Sequence, residues 1–429
     1  WIRKNRKGKL YGWVGSIFNF SLKGKKQLFQ AIQAMNAYTY FQADSLTSVQ
    51  KEKFLRGVKC KPCFIPPSLI KEIRNVTSDV IGKRSVNPLP FPTLVTYRGS
   101  PSKKAPIFGM KSVKQSQDLH LEIEWFNNAS NWSFYNKFRD VYSPVFFGLG
   151  GFRRQEISLD YKYRKISNDD PECYKDVSGG EIHFLQEPGF KCRSIASPYR
   201  LHQLAMRPLG DLMYSILKDL PWDCTFNQKR AFPIIQAHLS SGKVVHSIDL
   251  SSFTDVFPLE LQMNVISEIL GNDNSFVQAF GVLSRSIWYS SIGKIRWSKG
   301  QPLGLYPSFA IAGMTHGLLL LMLAKVYRNQ FFVLGDDVVI LDDHLHELYM
   351  KTLDLLECPW SEDKTISSNV LGEFAGEVIT SDGVFPQFKW RKLSDENFID
   401  ICRNLGARTR SLLTRKQKEV FDVVKHFLP

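Results

Sequence analysis

The chain has 429 residues, and 43% of them are hydrophobic, which is enough for a sizeable core and excludes a chain that is disordered throughout. This length predicts two or three domains, or one large domain with several lobes. Lysine and arginine number 56 against 41 aspartate and glutamate residues, and the resulting net charge of +15 suits a polyanionic partner such as nucleic acid. Membrane surfaces and acidic proteins are the alternative partners of a basic chain. The longest apolar run, 318–324, is far below the ~20 residues that span a bilayer, so no membrane-spanning segment is expected.

The amino-terminal part carries fewer clear signals. Because the chain begins with Trp1, we expect a fragment or a processed form. Residues 1–30 are basic with aromatic residues between the charges, which suits either an RNA-facing arm or a solvated surface. Residues 60–110 are rich in proline, serine and lysine, and they are interpreted as loops or a linker. The seven cysteines are odd in number and scattered, which favours a reducing compartment over a secreted disulfide framework.

Regular patterns begin near residue 180. In the segment GFKCRSIA, Lys191 and Arg193 alternate along a predicted strand and share one face, an arrangement suited to binding a triphosphate. Apolar residues at helical spacing then predict an amphipathic helix over 201–220, shaped near Pro208.

A short buried strand, 244–250, ends near Asp249. Asp255 follows six residues later, at the mouth of a helix that is predicted from Pro258 to about Leu270.

Residues 299–308 form a predicted glycine- and proline-rich loop. Glycines 300 and 304 would let its backbone approach a ligand closely, and the apolar helix predicted from Pro307 to about Arg328 would offer a positive amino-terminus behind it.

Two apolar runs flank a Gly-Asp-Asp in FFVLGDDVVI, residues 331–340, and predict a β-hairpin with carboxylates at its tip. Laid beside the Asp249 strand in one sheet, Asp336 would come within metal-bridging distance of Asp249. Carboxylates from two strands can hold two Mg²⁺ ions, which predicts nucleotide joining by two-metal phosphoryl transfer. A helix near 344–357, the lone basic residue Lys364 and a helical, basic tail after residue 389 follow.

In this order the segments resemble motifs F, A, B, C, D and E of viral RNA-dependent RNA polymerases, and most closely those of the mitovirus, narnavirus and ourmia-like group. The resemblance covers roughly residues 180–395. It is carried by KCRSIA (191–196), PWDCTFNQ (221–228), SIDLSSFTD (247–255), GQPLGLYPSFAIAGMTHG (300–317), VLGDDVVI (333–340) and EFAGEVIT (373–380).

The resemblance implies an α+β right-hand fold with an antiparallel palm sheet flanked by helices. The fingers would comprise 1–240, with motif F at 186–200. The palm would comprise 241–388, with a fingers insertion at about 270–298, and a short helical thumb would comprise 389–429.

It also implies catalytic roles. Asp249 and Asp336 would hold two Mg²⁺ ions, with Mn²⁺ a possible substitute, and Asp337 would support the metal site. Lys364 would protonate the pyrophosphate, the alternative being a plain surface lysine. Lys191 and Arg193 would clamp the incoming triphosphate.

Sugar selection is implied for Asp255, acting with the motif B loop around Gly304. The common pattern SGxxxTxxxN is absent here, because Leu303, Ser308 and Ala312 occupy the matching positions, and the amide that usually partners Asp255 is missing. Ser308 is the first candidate to replace it. Thr315 and His316, one turn later, are the next, although His316 equally suits a packed or capping residue.

The function implied is template-directed RNA synthesis that replicates a positive-strand RNA virus genome, with a single-stranded RNA template, the nascent RNA and nucleoside triphosphates as partners. A reverse transcriptase, which usually has a bulky aromatic where Asp255 stands, and a non-catalytic RNA-binding scaffold are the alternatives. The segments EFAG and YPSF favour the ourmia-like branch and therefore the host cytoplasm, with the mitochondrion as the alternative. The sequence identifies no protein partner.

Overall fold

A computed structural model describes residues 10–90, 125–126, 128–148, 176–187, 189–386, 398–399, 402 and 407–424. Within them the chain is a mixed α and β protein with three sheets. The helices are α1 (Gly12–Ser21), α2 (Lys25–Met35), α3 (Ser48–Val58), α4 (Pro67–Val80), α5 (Ala129–Lys137), α6 (Arg139–Gly148), α7 (Arg200–Ala205), α8 (Arg207–Asp219), α9 (Phe232–Ser240), α10 (Phe253–Val256), α11 (Leu259–Leu270), α12 (Ser275–Ser284), α13 (Ser308–Ala324), α14 (Asp343–Leu355) and α15 (Arg415–Val424). The strands are β1 (Ser178–Glu187), β2 (Lys191–Pro198), β3 (Val245–Asp249), β4 (Ile287–Ser290), β5 (Gly293–Ile295), β6 (Phe331–Leu334), β7 (Asp337–Ile340), β8 (Ile366–Ser368), β9 (Leu371–Phe374), β10 (Glu377–Thr380) and β11 (Gly383–Pro386).

The central sheet has the strand order β6-β7-β3-β8, and every neighbouring pair in it is antiparallel. Alternate residues of β6 enter different cores, since Phe331 and Val333 join the main core and Phe332 joins a second one. Helices α13 and α14 contribute to the main core, whereas Ile235 of α9 contributes to the second. Apolar residues therefore cover both faces of the sheet, which explains why its strands are almost continuously hydrophobic.

The other two sheets are separate from the central one. In the order β2-β1-β4-β5, β1 and β2 form an antiparallel hairpin, and β4 adds to β1 in parallel. The predicted insertion at about 270–298 therefore shares a sheet with the strand of Lys191 and Arg193. The third sheet, β11-β10-β9, is antiparallel and follows Lys364.

The predicted elements that surround the site are confirmed, including the strand before Asp249, the helix after Pro258, the Asp336 hairpin and the following helix. The helix predicted over 201–220 is interrupted at Met206, and the second helix has Pro208 in its first turn. Helix α13 ends at Ala324 rather than near residue 328, because Lys325 adopts φ +62°.

The interpretation of residues 60–110 as loops or a linker is wrong for 67–80, which form α4. Pro67 lies in the first turn, where its missing N–H costs no helical hydrogen bond. Leu69, Ile73 and Thr77 recur every four residues and are buried against the rest of the fold. The prolines that suggested a linker therefore precede and begin a helix. Residues 91–110 lie outside the described part.

The tail after residue 389 lies largely outside the described part, and what is described of it includes the 3₁₀ helix Ala407–Leu412 and α15. Among the helices that the structure describes, none has both the length and the apolar character needed to cross a bilayer.

Candidate active site

The Gly-Asp-Asp hairpin presents its first carboxylate at a tight turn. Leu334 pairs with Asp337, so Gly335 and Asp336 are the two turn residues. Gly335 has φ +63°, a conformation that glycine adopts without strain. A Cβ added there would lie 2.7 Å from the Phe309 ring, so α13 packs directly on the turn.

The sheet register gathers the three predicted aspartates. Strand β3 pairs antiparallel with β7 so that Asp249 lies directly opposite Asp337, and Asp336 precedes Asp337 at the hairpin tip. Side chains on opposed residues of neighbouring strands lie close together. The proximity of Asp249 to the hairpin that the sequence predicted is confirmed.

The clustered negative charges change the acidity of the hairpin carboxyls. Surrounding protein raises the pKa of Asp336 even though its side chain reaches solvent, and Asp249 raises it further. Burial, followed by the charges of Asp336 and Asp249, raises the pKa of Asp337 to about 7. Lys364 opposes both shifts because it is a cation.

Lys364 lies in the site. Its Nζ is 2.6 Å from Oδ2 of Asp249, and the lysine side chain is about half exposed. The chain is held at this position by two backbone contacts. The N–H of Ser361 donates to the carbonyl of Asp249, and Trp360 forms an isolated antiparallel β-bridge with Leu250. The segment before Lys364 therefore runs along the end of β3.

The structure places a further acid here that the sequence analysis did not single out. Glu373 lines a small cleft with Asp249, Asp337 and Lys364, and its charge contributes to the raised pKa of Asp337. Its backbone N–H donates to the Ser247 hydroxyl at 2.9 Å. The signal was its place in the EFAGEVIT segment, whose first residue is this glutamate.

A divalent cation fits this donor set with the help of other ligands. Among the described residues no group of three or more His, Cys, Asp or Glu side chains is arranged to hold a metal ion. Mg²⁺, however, is commonly held by one or two protein carboxylates together with water and substrate phosphates. Asp249 and Asp336 meet that requirement, and the pKa of Asp336 is raised by the charge of Asp249, a repulsion that a bound cation would relieve.

Lys191 and Arg193 occupy alternate exposed positions of β2, as the sequence predicted. The Nε of Arg193 donates to Oε1 of Glu187 at 2.7 Å, and this pairing is the main cause of the raised pKa of Arg193. Asp336 contributes to the same shift, so the face of β2 lies within electrostatic range of the hairpin tip.

Asp255 lies in the short helix α10 and contacts residues that are distant in the chain. Its Oδ1 accepts a hydrogen bond from Nε1 of Trp297 at 2.8 Å, and a Cβ added to Gly57 would lie 3.3 Å from its Oδ2. Burial raises the pKa of Asp255 to about 6, and the Trp297 hydrogen bond opposes the shift. Trp297 was not predicted as a partner because it lies 42 residues away, beyond two helices and two strands.

The glycines of the motif B loop approach protein rather than open space. A Cβ added to Gly304 would lie 1.7 Å from the carbonyl oxygen of Ala196, and one added to Gly300 would lie 2.2 Å from that of Thr254. The Leu303 carbonyl also accepts the N–H of Ala196 at 2.8 Å. The close approach that the sequence analysis assigned to a ligand is made here by the strand β2 and by the segment before Asp255.

The candidates to replace the missing amide are enclosed. Ser308 is fully buried, and its hydroxyl donates to the Pro302 carbonyl at 3.0 Å. Thr315 is fully buried, and no hydrogen bond to its hydroxyl is found in the described structure. Ser308 and Thr315 are therefore buried within α13 and are not presented at the surface of the site.

His316 is a buried link between the hairpin and α14. Its Nδ1 lies 2.8 Å from the carbonyl oxygen of Gly335, and its Nε2 lies 2.6 Å from the Tyr349 hydroxyl. Burial lowers the pKa of His316 to about 4, so the ring is neutral near pH 7. A carbonyl only accepts, so Nδ1 carries the proton and the Tyr349 hydroxyl donates to Nε2. His316 is thus a packed residue, and it supports the turn that presents Asp336.

Comparisons with known proteins show the family to which this chain belongs. Residues 115–418 match the family model described as mitovirus RNA-dependent RNA polymerase. The RNA-directed RNA polymerase of Cryphonectria parasitica mitovirus 1 is 28% identical over 205 residues, which cover 46% of this chain and 25% of that protein. Two uncharacterized mitochondrial proteins of Arabidopsis thaliana are 29% and 31% identical over 166 and 161 residues, which cover 36% and 34% of this chain and 65% and 76% of their lengths. The chain therefore spans about a quarter of the mitovirus polymerase that it matches.

Proposed function

Because this chain belongs to the mitovirus RNA-dependent RNA polymerase family, we propose that it joins ribonucleotides on an RNA template to replicate a positive-strand viral genome. The observation that carries the proposal is the meeting of β3 with the hairpin, which brings Asp249, Asp336 and Asp337 to one end of a sheet. Lys364 adds the one cation paired there with Asp249 in the described structure.

Asp249 and Asp336 would hold two Mg²⁺ ions, or Mn²⁺ in their place, with Asp337 in support. Bound there, the ions would lower the pKa of the primer 3′-hydroxyl and neutralise the leaving pyrophosphate. Lys364 would give a proton to the pyrophosphate, and its position beside Asp249 supports that role. His316 holds the hairpin turn through Gly335, so it would act on the geometry of Asp336 without touching substrate.

Lys191 and Arg193 would bind the triphosphate from the exposed face of β2. Arg193 is paired with Glu187 in this structure, so binding a triphosphate would exchange that carboxylate for phosphate oxygens. Guanidinium binds phosphate through two parallel hydrogen bonds, whereas lysine acts as a point charge.

Asp255 remains the candidate for selecting the sugar. One of its oxygens is held by Trp297, which orients the carboxylate, so the ribose 2′-hydroxyl would be read by the other oxygen. Ser308 and Thr315 are buried, so they would affect sugar selection only indirectly, by stabilising the conformation of the loop that includes Gly304.

The right-hand arrangement is part of this proposal. A fingers domain at 1–240 is supported by the sheet that β1 and β2 share with β4 and β5 of the insertion at about 270–298. A palm at 241–388 is supported by the antiparallel sheet that positions the aspartates. The thumb at 389–429 rests on the resemblance alone.

The setting is also proposed. The matched family and the named relatives are mitoviral or mitochondrial, which favours the mitochondrion over the cytoplasm that the EFAG and YPSF segments suggested. Template RNA, nascent RNA and nucleoside triphosphates would be its partners, and a net charge of +15 suits the RNA.

Primer extension on an RNA template, with labelled NTPs or dNTPs and with Mg²⁺ or EDTA, tests the proposal. We expect Mg²⁺-dependent incorporation of NTPs and its abolition in Asp336→Asn, with RNA affinity within about threefold of the parent. Asp354→Asn, on the exposed face of α14, removes the same charge away from the hairpin and should retain activity. Preferential use of dNTPs would indicate a reverse transcriptase. RNA binding without incorporation would indicate a scaffold.

A further inference from the structure

Two aromatic rings are exposed together at the tip of the β1–β2 hairpin. Phe190 is 59% exposed and Phe41 is 56% exposed. Their rings are stacked with centroids 6.3 Å apart and planes 4° from parallel. Each residue therefore leaves more than half of its surface open to solvent, although the Tyr40 ring also lies edge-on to Phe41 with centroids 5.8 Å apart. Core aromatic rings are not exposed in this way.

Phe190 also has an unusual backbone conformation. Its φ is +56°, in the left-handed region that bulky L-residues rarely adopt, and it follows Gly189 at φ +80°. A glycine would satisfy this turn without strain, so the fold itself gains nothing evident from a phenylalanine there. Such outliers persist where the surrounding structure enforces them, and they concentrate at functional sites.

The surrounding structure does enforce this one. The N–H of Gly189 donates to the Phe41 carbonyl at 2.7 Å, and Nε2 of Gln50 donates to the Phe190 carbonyl at 2.9 Å. The Tyr38 ring covers Gly189 so closely that an added Cβ would lie 2.9 Å from it. The backbone is thus held by the amino-terminal segment while the two phenylalanine rings face outward.

Two basic side chains follow these rings toward the candidate active site, and the second of them, Arg193, is paired with Glu187. Lys191 follows Phe190 directly and is exposed, and Arg193 comes two residues later on the same face. At about 3.3 Å per strand residue, Arg193 is roughly 10 Å along the chain from Phe190. Arg193 in turn lies within electrostatic range of Asp336.

We propose that Phe41 and Phe190 form a stacking platform for the unpaired bases of a single-stranded RNA. Every base has a flat π-face, so a rigid aromatic platform beside cations binds single strands without reading their sequence. The charge beside the rings favours a polyanion over an apolar protein partner. This inference rests on the proposed function, which makes RNA the substrate of the chain.

The sharpest test is Phe190→Gly in the full chain, measured by anisotropy of a fluorescein-labelled single-stranded RNA. Glycine removes the ring and relieves the positive φ, so we expect an unchanged or higher melting temperature. Loss of base stacking should raise the RNA dissociation constant about five- to a hundredfold. Phe41→Ala should also raise the dissociation constant, and Phe190→Trp should bind RNA with the affinity of the parent.

Two further measurements separate stacking from charge. Phe190→Gly should leave the slope of log affinity against log salt unchanged, whereas Lys191→Ala should reduce that slope by about one. A 2-aminopurine in the RNA should lose fluorescence on binding the parent and much less on binding Phe190→Gly. Phe64→Ala, at a 76% exposed ring outside the platform, is the matched control and should bind like the parent.

Several outcomes would overturn the platform. If Phe190→Gly and Phe41→Ala bind RNA within about twofold of a parent that extends primers, the platform is wrong and the proposed function stands. Self-association lost in Phe190→Gly with unchanged RNA affinity would assign the rings to a second copy of the chain. A lowered melting temperature with weaker binding would assign Phe190 to the fold. A parent that binds no RNA would overturn both proposals.

Discussion

The ammonium group of Lys364 lies 2.6 Å from Oδ2 of Asp249, although the two residues are 115 positions apart. This pair joins the segment after α14 to the end of the central strand β3. It also places a cation among three aspartates, where its charge partly offsets the burial and the carboxylate repulsion that raise the pKa of Asp336 and of Asp337. Lys364 therefore has an electrostatic effect on the site in addition to any part in proton transfer.

Replacing Lys364 by Met should shift the acid limb of the pH–rate profile to higher pH. Without the cation, the carboxyls keep their protons to higher pH and are then unable to bind metal. Lys364→Arg should retain the acid limb and lose rate, because arginine keeps the charge but does not give up a proton. The measurement is kcat/KM between pH 5.5 and 9, with Lys351→Met on α14 as the control. If the acid limb of Lys364→Met lies at the same pH as that of the parent, the predicted effect of the Lys364 charge is wrong.

Asp337 should make the stability of the metal-free protein depend on pH. A carboxyl whose pKa is raised to about 7 on folding binds its proton more tightly in the folded state. Its contribution to stability is full below its unfolded pKa near 4 and is lost as the pH rises through about 7. The melting temperature should therefore fall between pH 5 and 8, and Asp337→Asn, which resembles the protonated acid, should flatten that fall. Identical pH slopes for the two proteins would rule this out.

His316 should be required for rate more than for substrate affinity, because it supports the Gly335 turn from within the core. His316→Asn keeps a donor near the position of Nδ1, which bonds the Gly335 carbonyl, whereas His316→Gln places its donor nearer that of Nε2. We expect kcat to fall about tenfold or more in His316→Gln and less in His316→Asn, with KM nearly unchanged in both.

Tyr349→Phe is the control for this prediction. It removes the donor to Nε2 and leaves the bond from Nδ1 to Gly335, so it should reduce stability with a smaller effect on kcat than His316→Gln. Equal losses of kcat in His316→Asn and His316→Gln would show that only the volume of the ring matters.

Asp255→Ala should lower the preference for NTPs over dNTPs by one or two orders of magnitude, or about 1.4–3 kcal/mol for a hydrogen bond to a charged group. Trp297→Phe removes the hydrogen bond that opposes the raised pKa of Asp255, so that pKa should rise above about 6. The sugar preference of this variant should therefore weaken as the pH falls from 8 to 6.

Ser308→Ala is the comparison, because its hydroxyl is bound to the Pro302 carbonyl inside the loop. We expect it to alter overall activity while the sugar preference stays close to that of the parent. The assay is incorporation of matched NTP and dNTP pairs at several pH values. Parental preference in an active Asp255→Ala would place sugar selection elsewhere.

The local elements of the site follow from sequence pattern alone. Two short apolar runs around Gly335 and Asp336 predict the hairpin, and the apolar run ending near Asp249 predicts its neighbour, because both signals depend on residues adjacent in the chain. The ordered motifs likewise lead to the family that the comparisons show. At residues 67–80 the local proline content predicts a loop, but buried apolar residues at helical spacing form a helix there.

The partners of the functional side chains were decided by tertiary structure. Asp255 meets Trp297, His316 meets Gly335 and Lys364 meets Asp249 across separations of 42, 19 and 115 residues. The periodicity of apolar residues in the sequence does not predict such contacts, because they depend on how helices and loops pack after the local elements have formed. The same packing turned Ser308 inward and holds the ring of Phe190 outward. The sequence thus determined which elements and carboxylates are present, and packing determined what each side chain touches.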